Sequence, residues 1–260
     1  MTNSEGNKTE YTYNKRGQLE KITDANGKVT AYYYDRAGRK IAEVAPKDYD
    51  SSKDLSQMNR LEYTYDLMDR LKTKSYVGEE FKVNPITFEL EAQQVNIIQN
   101  AYKYNKLGLV IKELDALGYE AGTGTNVDSK INTGYGTETT YNLAGYVETV
   151  KDPVTKERSL SYTMKYTYDA LGRKTSETNA KGVITNYYYD DAGNITFIKY
   201  KKSASADEIT LSSYTYDFVG NLLSETDANE NITTYEYNNF NMLRKAEYPG
   251  DKKNIIVYQY

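Results

Sequence analysis

The sequence predicts an all-β fold of tandem antiparallel hairpins, and three features lead to that prediction. A short phrase, Tyr-x-Tyr-Asp/Asn-x-x-Gly, recurs along the chain, as at Tyr11 and again 21 residues later at Tyr32. The copy at residues 166–187 carries two Asx-x-x-Gly tetrads, which are typical of type I turns followed by a left-handed residue. The segments between these turns are rich in Tyr, Thr, Val and Ile, the residues that strands favour.

The spacing of the turns predicts two strands per repeat. Asn14, Asp24 and Asp35 are separated by 10 and then 11 residues, which leaves about six strand residues between turns. The chain is therefore predicted to be a continuous β-meander. The two tyrosines of a phrase stand two residues apart and should share one face of the sheet, so the residue between them should face water.

The repeat motif is predicted to have a structural role throughout. The phrases open near residues 11, 32, 63, 102, 139, 166, 187, 214 and 235, with an incomplete tenth at 258. The tyrosines of the motif are Tyr11, Tyr13, Tyr32, Tyr34, Tyr63, Tyr65, Tyr102, Tyr104, Tyr141, Tyr166, Tyr168, Tyr187, Tyr189, Tyr214, Tyr216, Tyr235 and Tyr237. Its turn residues are Gly17, Asp35, Gly38, Arg39, Asp66, Gly108, Gly145, Asp169, Gly172, Arg173, Asp190, Gly193, Asp217 and Gly220.

Three positions depart from the expected glycine. Asp69 and Asn241 replace it with the residue types that best tolerate a left-handed backbone. Glu230 replaces it in a second turn, and we expect that turn to be weakened. Gly172 and Gly193 should both have positive φ.

Five longer segments interrupt the period, at about 45–59, 77–100, 118–134, 151–161 and 200–211. Stretches within three of them are predicted to be exposed loops: Pro46–Lys53, the glycine-rich Gly118–Gly136, and Lys201–Asp207. The segment 77–100 contains alternating apolar residues such as Phe81 and Val83, which favours lengthened strands over a helix.

Composition excludes several classes of protein. The chain has 260 residues and a formal charge of −4, and it contains no Cys, His or Trp. Because the repeat continues to both ends, we expect one repeat region over residues 1–260. No basic block suggests nucleic acid, and no apolar stretch suggests a membrane span or a signal peptide.

No catalytic residue, cofactor site or metal site is predicted. His-dependent and Cys-dependent nucleophilic catalysis is impossible without those residues. The segments beginning at Asp48 and Asp227 imitate calcium loops, but neither has glycine at the sixth position or Glu at the twelfth. We therefore expect turn or surface roles for both. Among tyrosines outside the phrase, Tyr49, Tyr119 and Tyr135 should lie in loops and are the better candidates for contact with a ligand.

The phrase as it stands at Tyr32–Arg39 and Tyr166–Arg173, with Thr23–Gly27 as its second turn, resembles the YD repeats of the RHS family. That family includes bacterial Rhs and wall-associated polymorphic toxins, shell components of insecticidal toxin complexes, and teneurins. The resemblance implies a long curved or spiralling β-strip that forms part of a hollow shell. The family's core segment with self-cleaving aspartates is not recognisable, so the chain resembles a fragment of the repeat region.

The resemblance implies a non-enzymatic shell segment that encloses or presents a C-terminal toxin polypeptide in a secreted or cell-surface bacterial protein. Its partner would be the remainder of its own parent polypeptide. The alternative is a surface adhesin that recognises glycan or protein through the inserted loops.

Overall fold

The computed structural model describes residues 8–153, 161–250 and 254–259. Nineteen strands and two short α-helices are found in these ranges. The strands are β1 (Glu10–Tyr13), β2 (Leu19–Thr23), β3 (Val29–Tyr34), β4 (Lys40–Val44), β5 (Arg60–Tyr65), β6 (Leu71–Val83), β7 (Leu90–Tyr104), β8 (Val110–Asp115), β9 (Thr137–Tyr141), β10 (Val147–Lys151), β11 (Met164–Tyr168), β12 (Lys174–Asn179), β13 (Ile184–Tyr189), β14 (Ile195–Lys201), β15 (Ile209–Tyr216), β16 (Leu222–Asp227), β17 (Ile232–Tyr237), β18 (Leu243–Tyr248) and β19 (Asn254–Val257). The helices are α1 (Ala116–Glu120) and α2 (Val127–Thr133), and a 3-10 turn covers Leu55–Gln57.

The strands pair antiparallel in chain order, which confirms the predicted meander. In a typical hairpin, Tyr32 of β3 lies opposite Glu43 of β4 and the register shifts by one residue between Tyr33 and Tyr34. The same shift precedes the second tyrosine of the phrase in the other hairpins. Asx-x-x-Gly turns therefore produce a bulged hairpin, as the tetrads predict.

The chain forms two compact units, Met1–Glu138 and Thr139–Tyr260. The first contains β1 to β8 and both helices, and the second contains β10 to β19. Each unit carries complete copies of the phrase. No helix in the described ranges is long and apolar enough to cross a membrane.

The deepest burial in the first unit lies on the sheet face opposite the phrase tyrosines. Ala31 and Val44 form a directly opposed pair on that face and are buried together with Met58. Ala101 and Leu114 form the equivalent pair between β7 and β8. The phrase tyrosines are only half-buried in most strands. The face opposite the phrase tyrosines was expected to face water, and this is wrong wherever an inserted segment covers it. Thr64 and Lys103 on that face are exposed, as predicted.

The segment Gly118–Gly136 is not an exposed loop, which corrects the prediction made from its glycines. It contains most of α1 and all of α2, and it buries Tyr119 and Ile131 against Leu114. Asp115 and Asn126 cap the two helices by accepting backbone N–H bonds. A Cβ on Gly118 would lie 1.9 Å from the carbonyl oxygen of Tyr135. Glycine therefore serves close packing here and not flexibility.

The other described interruptions agree with their predictions, except that Lys201 is the last residue of β14 and residues 48–50 of the predicted exposed loop are half-buried. The segment 77–100 is a lengthened hairpin of β6 and β7, and Pro46–Lys53 and residues 202–208 are connections outside the strands. The predicted interruption at 151–161 lies largely outside the described residues, as does the last tyrosine of the tenth phrase, at position 260.

Each unit has one edge of constant turns and one edge of variable connections. The phrase turns, such as 35–38 in the first unit and 169–172 in the second, all close tight hairpins. Because successive connections of a meander alternate between edges, every longer connection joins its strands at the opposite edge. Within the described residues these connections are 45–59, 84–89 and 116–136 in the first unit, and 202–208 in the second.

The non-glycine turn positions adopt the left-handed backbone. Asp69 has φ of 60° and Asn241 has φ of 58°, as predicted. Glu230 also adopts a φ of 64°, and its N–H still donates to the carbonyl of Asp227 at 3.1 Å. The turn at Asp227 therefore forms despite the missing glycine.

Candidate functional site

The phrase turns share one pattern of hydrogen bonds around the Asx side chain. In the turn at Asp169, Oδ1 accepts the backbone N–H of Leu171 at 3.0 Å and that of Arg173 at 2.9 Å. The backbone N–H of Gly172 donates to the carbonyl of Asp169 at 3.0 Å. The Asx oxygen thus occupies the donors that a continuing strand would use, which explains why Asp or Asn opens every turn.

Arginine after the turn glycine ties one turn to the next. Arg173 Nε donates to Asp169 Oδ2 at 2.6 Å, and its Nη1 reaches the carbonyl of Asp190 in the following phrase turn at 3.3 Å. The guanidinium also lies 4.6 Å from the ring centroid of Tyr189. Arg70, which follows Asp69 in place of a glycine, repeats this arrangement with Asp66, the carbonyl of Asn105 and the ring of Tyr104. Arg39 differs in that its Nη1 donates to the side chain of Asp69 in the next turn. A planar cation that both donates and stacks suits this place better than lysine.

The second tyrosine of several phrases bonds the preceding hairpin. Tyr65 Oη donates to the carbonyl of Lys40 at 2.7 Å, and Tyr189 Oη donates to the carbonyl of Lys174 at 2.7 Å. Each acceptor is the first residue of the strand that leaves the preceding phrase turn. The same bond is made by Tyr34, Tyr104 and Tyr168. The second tyrosines therefore link neighbouring hairpins in sequence.

The first tyrosines hold a lysine between them. Lys174 Nζ lies 5.8 Å from the ring centroid of Tyr166 and 4.5 Å from that of Tyr187, and it pairs with Glu177 at 2.7 Å. Lys40 makes the same contacts with Tyr32, Tyr63 and Glu43. Both lysines follow the opening tyrosine by the same number of residues. Aligning the repeats would have revealed that position, which sequence analysis missed.

The turn carboxylates are held in their charged form. Hydrogen bonds from the backbone and side chain of Arg39 lower the pKa of Asp35. Burial alone would raise the pKa of Asp66, but donors from Arg70 outweigh it and the pKa is lowered. These shifts serve the turn geometry. Perturbed pKa values also occur in structural ion pairs, and these groups need no catalytic interpretation.

Burial raises the pKa of most phrase tyrosines. The affected tyrosines are Tyr32, Tyr63, Tyr65, Tyr102, Tyr104, Tyr168, Tyr187, Tyr216, Tyr235 and Tyr237. For Tyr63, the carboxylate of Glu43 adds to the effect of burial. The tyrosine face therefore favours neutral phenols.

Alkaline pH should destabilise the fold through these tyrosines. Above about pH 10, phenols of the unfolded chain lose their protons while those of the folded chain retain them. The unfolded state then binds fewer protons, so the free energy of unfolding must fall as pH rises. We expect tyrosinate absorbance to rise cooperatively together with loss of the β signal in circular dichroism. Independent ionisation of the tyrosines, with the fold intact, would contradict this.

Replacing Tyr189 with phenylalanine should cost about 1 kcal/mol, the usual net value of one hydrogen bond. The change removes the bond to Lys174 and leaves the ring beneath Arg173. Tyr214→Phe is the matched control because no hydrogen bond of its hydroxyl is found within the described ranges. Urea unfolding of both variants should show a lower midpoint for Tyr189→Phe alone, and equal midpoints would show that the inter-hairpin bond contributes nothing.

The loop beginning at Asp48 uses its polar groups internally. Asp50 Oδ1 accepts from the N–H and the hydroxyl of Ser52, and Asp48 Oδ1 accepts from Asn59 at 3.2 Å. Asp227 binds the backbone and side chain of Asn231 in its turn. In the ranges covered by the structure, no three acidic side chains are grouped so that they could hold a metal ion.

The three tyrosines outside the phrase differ in their surroundings. Tyr119 is buried, so its expected contact role is wrong. Tyr49 lies in the connection between β4 and β5 but packs against the core cluster of Ala31, Val44 and Met58, with Lys21 Nζ 5.3 Å from its ring. Tyr135 is 36% exposed.

Comparison with known proteins finds a family model that matches the repeat and solved structures similar to the chain. A family model for the RHS repeat matches residues 13–48 and 216–252. No curated protein matches the sequence significantly. Among solved structures, a TcdB2-TccC3 crystal structure is similar at a TM-score of 0.48 and 17% identity, over 97% of this chain and 15% of that one. TcdB2-TccC3 without its hypervariable C-terminal region gives 0.47 and 18%, with the same coverage.

A Photorhabdus luminescens Tc holotoxin pore is also similar, at a TM-score of 0.31 and 16% identity, over 92% of this chain and 16% of the other. The chain thus spans about 15% of the length of the structures that it first matches. The two segments matched by the family model contain whole phrase turns, one in each unit, and the same phrase fills the residues between them. The chain therefore carries RHS repeats at residues 13–48 and 216–252.

Proposed function

We propose that this chain is a structural wall segment of an RHS shell, which encloses or presents another polypeptide of its own parent protein. The observation that supports this most directly is the set of links between neighbouring hairpins. Tyrosine hydroxyls bond the preceding hairpin and arginines bond the following turn, in both units. Such links stiffen a strip along its length. The motif residues thus act as scaffold, and residues 1–260 act as one repeat region of a secreted or surface-delivered bacterial protein.

A protease-accessibility experiment on the complete parent protein tests this proposal. A cleavage sequence for a site-specific protease is placed in the polypeptide that follows the repeats. We expect it to resist cleavage in the native protein and to become sensitive when Tyr65→Phe and Tyr189→Phe are combined. Tyr214→Phe serves as the control and should not change the rate. Cleavage as fast in the native as in the denatured parent would refute enclosure.

The purified chain should be chemically inert. We expect no hydrolysis of ester, peptide or glycoside substrates above the buffer rate, and no change in melting temperature when a chelator is added. A chelator-induced drop would identify a bound cation, and Asp48→Asn, Asp50→Asn and Asp54→Asn would then locate it.

A second function, a surface binding module for glycan or protein, is favoured by one observation. An open polar cleft of about 760 Å³ lies in the first unit beside the Asp48 loop, lined by Pro46, Tyr49, Asn59 and Glu79 among others. A glycan array would test it. Binding that Asn59→Ala abolishes would support this alternative over a purely structural role.

A further inference from the structure

The hairpin of β6 and β7 extends beyond both neighbouring strands. β5 pairs with β6 as far as Val77, and β8 pairs with β7 from Asn100 onward. Residues 79–94, called the finger below, therefore pair across the hairpin itself, from Glu79 opposite Gln94 to Val83 opposite Leu90. Almost all of these residues are exposed. A two-stranded ribbon is marginally stable by itself, and this one gains no core by extending.

The two faces of the finger differ in chemistry. Phe81 lies opposite Ala92 and Val83 lies opposite Leu90, so these four side chains share one face. The other face carries Glu80, Lys82, Glu91 and Gln93. The apolar face is solvent-exposed, with Phe81 at 64% and Leu90 at 69%. Exposed apolar side chains grouped in this way mark interaction sites more often than single ones do.

The tip of the finger carries the ring of Phe88 on a strained backbone. Phe88 has φ of 59°, a left-handed conformation that is an outlier for a bulky residue. Its ring is 81% exposed, and Ile86 is 85% exposed. Asn84 fixes this geometry, since its Oδ1 accepts the N–H of Ile86 at 2.8 Å and its Nδ2 donates to Glu91 at 2.7 Å. The strained backbone thus exposes an apolar ring that is not packed in the core.

The outer edge of β6 offers free backbone groups beside the apolar face. The N–H of Glu79 points away from β7 and donates to the side chain of Asn59 at 2.9 Å. The N–H of Asn84 points toward β7 and donates to Glu89. Because backbone direction alternates along a strand, the groups of Phe81 and Val83 point outward. No strand of the described chain flanks them, and an unpaired edge of this kind is a template for strand addition.

The charges of the finger select its partner. Glu79, Glu80, Glu89 and Glu91 outnumber its single lysine, Lys82, which lies 3.6 Å from Glu80. A second copy would bring the same acidic residues together, and the net charge of −4 also disfavours self-pairing. An anionic bilayer is repelled for the same reason. A strand added beside β6 would meet Phe81 and Val83 on one face, with Glu79 at their end, and Glu80 and Lys82 on the other.

We propose that the finger is a docking site for an extended polypeptide segment of alternating apolar and basic residues, which adds as a strand to the outer edge of β6. Its apolar side chains would pack on Phe81 and Val83, with Phe88 closing the end of the contact. Its basic side chains would face Glu80, the carboxylate of β6 on the polar face. This binding goes beyond a wall role and does not depend on it.

The test uses a fluorescent synthetic peptide of alternating valine and lysine, titrated into the whole chain and followed by anisotropy. We expect saturable binding that weakens with salt, together with slowed hydrogen exchange at the amides of Phe81 and Val83. Phe81→Ser and Phe88→Ser should each weaken binding by about tenfold or more, as anchor residues do. Phe218→Ser is the matched control: it is 98% exposed at a phrase turn and should leave binding unchanged.

Two further peptides keep the test decisive if a variant misfolds. A version N-methylated at alternate residues cannot complete the backbone ladder, and an alternating valine-glutamate peptide reverses the charge. Both should fail to bind the unmodified chain, and equal binding of either would overturn the proposal. Two other outcomes would overturn the proposal, each combined with no binding of the valine-lysine peptide. In the first, Phe88→Ser abolishes capture of the chain by phosphatidylcholine vesicles. In the second, Phe88→Ser dissociates a dimer of the chain.

Discussion

Replacing Leu114 with alanine should destabilise the first unit by about 2–5 kcal/mol, the range measured for large-to-small changes in packed cores. Leu114 is 0% exposed and packs with Ala101, Tyr119 and Ile131. The surrounding structure cannot collapse easily into the cavity, because the glycines at 118 and 134 already bring backbone into close contact. Urea unfolding monitored by circular dichroism measures the loss.

The same substitution should release the two helices. Tyr119 and Ile131 hold α1 and α2 on the sheet by contacts with this one side chain and its neighbours. Trypsin should therefore cut at Lys130 sooner in Leu114→Ala than in the unmodified chain. Leu143→Ala is the matched control: Leu143 is fully exposed at a phrase turn, and the change should stay within about 0.5 kcal/mol of zero. Equal costs at the two leucines would contradict the proposed core.

Gly172→Val should have the second large effect. Gly172 has φ of +81°, so a β-branched side chain there is strained by about 1–3 kcal/mol. A Cβ at this position would also lie 2.3 Å from the hydroxyl oxygen of Tyr146. Tyr146 stacks on Tyr168 with ring centroids 5.0 Å apart, so the clash must break that stack or open the turn. Overpacking of this kind costs a further ~1–3 kcal/mol.

Gly182→Val separates the two causes. Gly182 has φ of +79°, but a Cβ there meets no atom within 4 Å. It should show the backbone strain without the clash, and its thermal midpoint should lie between those of the unmodified chain and Gly172→Val. Identical midpoints for the two variants would assign the whole effect to the backbone, and an unchanged midpoint for Gly172→Val would refute the turn geometry.

Local chemistry made most of the fold predictable. Asp169 and Gly172 encode their turn within four residues, so spacing alone gave the strands and the hairpins. The helical insertion was not predictable in this way. Gly118 reads as a loop residue until the carbonyl of Tyr135 is known to approach it, and that contact depends on the assembled sheet. Burial of Tyr119 follows from the same tertiary contact.

The inter-hairpin links could be predicted only in part from the sequence. The place of Lys174 in the repeat is visible in the sequence, but its position between two rings requires knowing that adjacent hairpins bring Tyr166 and Tyr187 together. The positive φ of Phe88 had no signal at all, because aromatic residues almost never adopt it. The alternation at Phe81 and Val83 thus predicted the long strands of the finger, whereas its strained tip was found only in the structure.

The contrast between the constant and variable edges has a consequence for how such chains diversify. An insertion among the phrase turns would separate Arg173 from the turn at Asp190 and Tyr189 from its acceptor, so several contacts would be lost together. An insertion at the opposite edge interrupts no such link, and loop closure adds little free energy as a connection lengthens. Descendants of one repeat array can thus acquire new appendages on one side while the ladder is inherited unchanged. A foreign epitope grafted at residues 203–206 should be displayed without loss of the scaffold.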